Sequence, residues 1–165
     1  MNHTPLLLEM TAFDAGSAQR IQHFIKVYEL CRTIGLNEGL DEETQEILET
    51  AALVHDIGIK PSLALYGDDA GPHQEALGPG EARMMLTKLG YREEIIGRVC
   101  WLIAHHHTYE PVDGIDHQIL IEADFLVNLF ENSRPAETIR QAYDRIFRTE
   151  TGRLLCRRMF QSAFE

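Results

Sequence analysis

The sequence predicts an all-α protein of about seven helices, and three observations carry that reading. Apolar residues recur at three- and four-residue steps through nearly all of the 165 residues. No segment alternates apolar and polar residues for long, as a half-buried strand would. Capping residues, glycines and prolines fall between the periodic stretches as starts and stops. With 44% apolar and 25% charged residues, the composition is that of a globular protein. One domain is expected over residues 1–165, with a core at about 17–132 and C-terminal helices at 135–165 packed on it. A chain of this size buries roughly 70% of its unfolded surface, so it needs neither disulfide nor structural metal merely to fold.

The first helix is expected from about Ser17 to Ile34, where Ile21, Phe24, Ile25, Tyr28 and Cys31 share a face and Gly35 follows as a stop. Asp41 opens the second as an N-cap, with acids in its first turn at the positive end of the helix dipole. That helix is expected to reach His55 or Asp56 and to stop near Gly58, with Pro61 beyond. Residues 64–80, ALYGDDAGPHQEALGPG, are rich in glycine and proline and read as a loop broken by turns. A third helix follows from about Gly80 to Leu89, and a fourth covers REEIIGRVCWLIAHHH. After the loop TYEPVDGID come helices over HQILIEADFLVNLFEN and PAETIRQAYDRIFR, then a short one over GRLLCRRMFQSAF.

Fifteen basic against 26 acidic residues give a formal charge of −11. That argues against general nucleic-acid binding and against a grip on anionic membrane. A small phosphorylated substrate stays open, because a bound dication reverses the local sign. The cysteines Cys31, Cys100 and Cys156 lack any CxxC spacing, which suits a reducing cytoplasm. The opening MNHTPLLLEMTAF reads as neither a signal peptide nor a membrane span.

Four polar placements interrupt the apolar faces. His23 shares a helix face with Val27 and Leu30; His55 and Asp56 end the apolar run AALVHDIGIK; Asp124 lies within ILIEADFLVNLF; and His105, His106 and His107 end the fourth helix. Each has an ordinary structural explanation: a half-buried histidine with one hydrogen bond, an Asp56–Lys60 ion pair, a capping acid at Asp124, a solvated helix end. Together they are imidazoles and carboxylates suited to a divalent metal such as zinc, manganese, iron, nickel, cobalt or magnesium. An ion would offset the desolvation of two acids in apolar surroundings. Adjacent residues on a helix point about 100° apart, so His55 and Asp56 can share an ion only where the helix is ending, as Gly58 suggests.

The order of an early helical His23, adjacent His55-Asp56 and distal Asp124 resembles the HD superfamily of metal-dependent phosphohydrolases. HDIG at His55–Gly58 and HHH at His105–His107 add to the likeness, which spans about residues 17–132. The resemblance implies a helical HD-domain bundle with a metal at its centre, His23, His55, Asp56 and Asp124 as ligands, and Asp56 bridging if a second ion is present. It implies hydrolysis of a small phosphate ester, with nucleotides a common substrate class, the metal polarising a phosphoryl oxygen and lowering the pKa of its water. His105 and His106 are the expected pair at the helix end, joining Asp56 as catalytic groups, with His107 toward solvent or the loop.

Two departures stand out. Leu77, in EALGPGEA, falls where two-metal members carry a further histidine, which leaves one or two ions open, with His73 or Glu75 as substitutes. Lys60 comes one residue later than the lysine of many members and is, with His73 and Glu75, a candidate for contacting substrate. Two rival readings are a di-iron oxygenase on the same fold, which needs six protein ligands, and a metal-stabilised signalling module without turnover.

Overall fold

The computed structural model describes residues 2–165, and among them nine α-helices and a 3-10 turn carry the chain, with no strand. The helices are α1 (Thr4–Phe13), α2 (Ala18–Glu38), α3 (Glu42–Val54), α4 (Ile59–Tyr66), α5 (Gly71–Lys88), α6 (Glu93–Ile103), α7 (Gly114–Glu131), α8 (Ala136–Arg145) and α9 (Glu150–Met159). The all-α expectation holds; the count exceeds about seven because two helices stand where none was expected. α1 begins with Pro5 in its first turn and buries Leu6 and Met10 against the bundle. α4 fills the stretch after the expected stop near Gly58 and ends inside the segment 64–80 expected to be a loop, where the first ten residues of α5 also lie.

That correction has a tertiary cause. Pro72 sits in the first turn of α5, where a missing N–H costs nothing, while Pro79 lies inside the helix and forgoes one backbone bond. The glycines act as a contact surface. A Cβ on Gly78 would lie 2.7 Å from Ile103 Cγ2, and one on Gly58 would lie 2.4 Å from the Gln74 carbonyl oxygen. The turn after α3 and the end of α6 thus press directly on the α5 backbone, and this packing outweighs poor helix propensity.

A second correction concerns Gly35. It continues α2 instead of ending it, and the helix closes at Gly39 in the left-handed conformation, φ 78°. Gly35 is buried because Gln45 of α3 approaches so closely that a Cβ there would meet its Oε1 at 2.2 Å. Asp41 caps α3 as expected, accepting from the Glu43 and Thr44 N–H groups.

α3 lies at the centre, packed by α2, α6 and α7, with α1 across it and α5 covering α6. α9 rests on α2 and α7. Leu48, Leu53, Ile57, Leu102, Ile103, Leu120 and Leu126 are fully buried in this core. Each contributes roughly 1.5–3 kcal/mol by leaving water. No helix among the described residues is long and apolar enough to cross a membrane.

Candidate metal centre

The apolar pattern that buries α3 ends at Val54, and the chain then turns through His55 to Gly58. The turn directs His55 and Asp56 to one side, toward His23 of α2 and Asp124 of α7. His23 Nε2 lies 3.1 Å from Asp124 Oδ1, 3.3 Å from His55 Nε2 and 3.5 Å from Asp56 Oδ2. His55 Nε2 is 3.5 Å from Asp56 Oδ2 and 3.6 Å from Asp124 Oδ1. The other oxygen of Asp56, Oδ1, is 3.5 Å from Nε2 of His106, which follows the end of α6. His107 stacks obliquely on His106, ring centroids 3.9 Å apart.

Two trios result, each with donor atoms within 4.8 Å of one another: His23, His55 and Asp56, and Asp56, His106 and His107. Asp56 belongs to both and faces each with a different oxygen. Its side chain is 22% exposed, against 0% for His55 and 1% for His106, so solvent enters at Asp56.

Hydrogen bonding on the far side of each ring fixes what points inward. His55 Nδ1 donates to the Ala52 carbonyl at 2.9 Å and His106 Nδ1 to that of Ile103 at 2.7 Å. In their neutral form these rings present lone pairs at Nε2. His23 Nδ1 meets Glu131 Oε2 at 2.9 Å, and Lys26 holds the same carboxylate at 2.8 Å. Asn128 donates to Asp124 Oδ1 at 2.8 Å. Lone pairs and carboxylate oxygens thus converge with few protons to share.

The electrostatics express the same excess of negative charge. Burial pushes the His23 imidazole down, but Asp124, Asp56 and Glu131 outweigh it and raise its pKa to about 9. Burial pushes Asp56 up, yet His55 and His106 outweigh it and bring the carboxyl to about 2. Asp124 is likewise driven below the usual carboxylate range: burial opposes this, and the hydrogen bond to His23 together with the nearby His55 imidazole outweighs it. Burial holds His107 below its ordinary value. The Nε2 atoms of His106 and His107 are buried with no hydrogen-bond partner. Orphaned imidazole nitrogens beside a shared carboxylate are the donor set a divalent ion requires, and the residues fit one.

Several expected site residues lie elsewhere. His105 does not join the cluster: its Nδ1 bonds the Trp101 carbonyl at 2.7 Å, its ring stacks on Trp101, and its carbonyl accepts from His117 Nε2. The pair turned inward is His106 with His107, because the stack on Trp101 rotates the register by one residue. The Lys60 ammonium donates to the Phe13 carbonyl at 2.6 Å and lies over the Phe13 ring, tying α4 to α1 instead of facing the cluster. His73 stacks on Tyr66 and bonds Asp68 at the surface. Glu75 comes closer, accepting from the His107 backbone N–H at 3.1 Å. Sequence reasoning overlooked Glu131 and Asn128, although Asp124, Asn128 and Glu131 follow the i, i+4, i+7 spacing of one helix face.

The model of the HD-domain family matches residues 20–129. A crystal structure described as a predicted HD superfamily hydrolase from an uncultured Thermotogales bacterium is 27% identical, with a TM-score of 0.68, covering 98% of this chain and 87% of that one. No protein with a curated description matches the chain.

Proposed function

This chain belongs to the HD-domain family, and on that premise we propose that it is a metal-dependent phosphohydrolase acting on small phosphate esters, nucleotides foremost. The observation that carries the proposal is the Asp56 carboxylate shared between two trios, one of which holds the partnerless Nε2 atoms of His106 and His107. His23, His55, Asp56 and Asp124 would hold one divalent ion; Asp56, His106 and His107 would hold a second.

When bound, such ions supply Lewis acidity, polarising a phosphoryl oxygen and lowering the pKa of a water. The chain's own residues set the stage for that chemistry. The Nδ1 contacts of His55 and His106 fix ring orientation, and Glu131 raises the electron density of His23. Asp56 stands at the opening, where a phosphate can enter. Arg83 is paired with Glu93, and Arg98 with Asp113 and Asp116, so neither guanidinium is free to bind phosphate.

The test is elemental analysis of the purified protein together with a panel of phosphate esters, repeated for Asp56→Ala. Metal and hydrolysis should both disappear in the variant while helical circular dichroism is kept. Full metal occupancy in Asp56→Ala would show the site to be misplaced. A second reading draws on the donor count: His23, His55, Asp56, Asp124, His106 and His107 are the six ligands a di-iron oxygenase needs. Two redox-active irons and no ester hydrolysis would select it. Unfolding on chelation would point to a structural site without turnover.

A further inference from the structure

A cleft of about 240 Å³ opens between the 108–113 loop and the end of α8. Tyr109 and Val112 form one wall, Ile146, Arg145 and Arg148 the other, and Gln118 and Ile121 of α7 the floor. Tyr109 is its link toward the metal centre: it stands two residues beyond His107, and its ring packs edge-on against Phe125, the neighbour of Asp124. The Tyr109 phenol pKa is raised by burial and by the charges of Asp124 and Glu75.

The far side of the cleft is held by a buried network. Glu122 of α7 is fully buried and accepts from the Arg148 N–H at 2.6 Å, the Thr149 N–H at 2.9 Å and the Gln118 amide at 2.7 Å. Gln118 also donates to the Ile146 carbonyl at 2.8 Å. Asp124 and the segment that follows Arg145 are therefore both tied to α7. The Arg148 guanidinium is occupied by the carbonyls of Asp144, Arg145 and Phe147. The Arg145 side chain makes no hydrogen bond or ion pair among the described residues, on a protein of net charge −11 where acids are plentiful.

We infer that this cleft is a subsite for a second anionic group of the substrate, with Arg145 as its specificity-determining residue. The inference rests on the phosphohydrolase reading and narrows it: preferred esters carry a further phosphoryl group beyond the one hydrolysed, as a nucleoside diphosphate does. The volume suits part of a substrate, since whole small-molecule pockets occupy roughly 300–1,000 Å³. Glu110 also lines the cleft and opposes an anion there.

The experiment compares adenosine diphosphate with p-nitrophenyl phosphate as substrates of the metal-loaded wild type, Arg145→Gln and Glu110→Gln. Arg145→Gln should raise KM for the diphosphate about five- to tenfold with kcat held, a modest value for an exposed charge-assisted contact. Glu110→Gln should lower that KM, and p-nitrophenyl phosphate should respond to neither variant. Turnover that ignores Arg145, or a KM change equal for both substrates, overturns the subsite and leaves the hydrolase reading intact. If no ester is hydrolysed, calorimetric titration with adenosine diphosphate decides. Weaker binding by Arg145→Gln keeps the subsite and removes the hydrolase reading; equal binding overturns the subsite as well.

Discussion

Gly58 and Gly80 offer a paired test of how the metal-bearing turn is held. Gly58 has φ −70° and ψ −17°, a conformation alanine adopts freely, so the backbone alone would favour Gly58→Ala by about 0.4–1 kcal/mol. The new methyl would meet the Gln74 carbonyl oxygen at 2.4 Å and its Cα at 2.9 Å, backbone atoms of α5 that no side-chain rotation can move aside. Overpacking of this kind costs roughly 1–3 kcal/mol. The net expectation is destabilisation by about 0.5–2 kcal/mol, or roughly 2–6 °C in thermal midpoint at this chain length. Gly80, on the same helix, has nothing within 4 Å of its would-be Cβ. Gly80→Ala should therefore stabilise by about 0.5–1 kcal/mol. Urea unfolding of both variants, with and without metal, reads the difference. Gly58→Ala should also weaken metal binding, because the displaced turn carries His55 and Asp56. A stabilised Gly58→Ala would refute the direct contact between this turn and α5.

Other expectations follow from the supporting contacts. Glu131→Gln should leave the fold intact and lower metal affinity about 10- to 100-fold, since it weakens the partner that orients His23; competition against a chelating dye measures this. His117 is buried and held below its ordinary value of 6.5, burial outweighing the bond to the His105 carbonyl. A lowered folded pKa means that the unfolded chain takes up the proton first. The stability this histidine contributes is present above pH 6.5 and falls as the pH drops below it. Thermal midpoints between pH 7.5 and 5 should decline less steeply in His117→Gln than in the wild type, and identical slopes would remove His117 as a cause.

Much of the molecule is legible in the chain itself. The helices over α2 and α6 follow from apolar periodicity, because each buries one stripe that repeats with the helical turn, whereas α3 and α7 are legible as long apolar runs and are buried on all sides along Leu48–Val54 and Asp116–Asp124. His23, His55, Asp56 and Asp124 stand out as candidates because ionisable groups within apolar faces demand a partner. Gly58 marks the helix end that allows adjacent residues to face one point.

Tertiary contacts decide the rest. α5 contradicts its local propensity, since Gly78 and Gly58 allow backbone approaches whose packing outweighs the glycine and proline penalties. The choice of His106 and His107 over His105 arises past the end of α6, where no periodicity governs direction and the stack on Trp101 sets the register. Lys60 is drawn to a carbonyl 47 positions earlier in the chain, a partner its neighbours could not foretell. Residue type and spacing determine which groups are chemically able to form a centre; the directions of side chains beyond helix ends, set by distant packing, determine which of them meet.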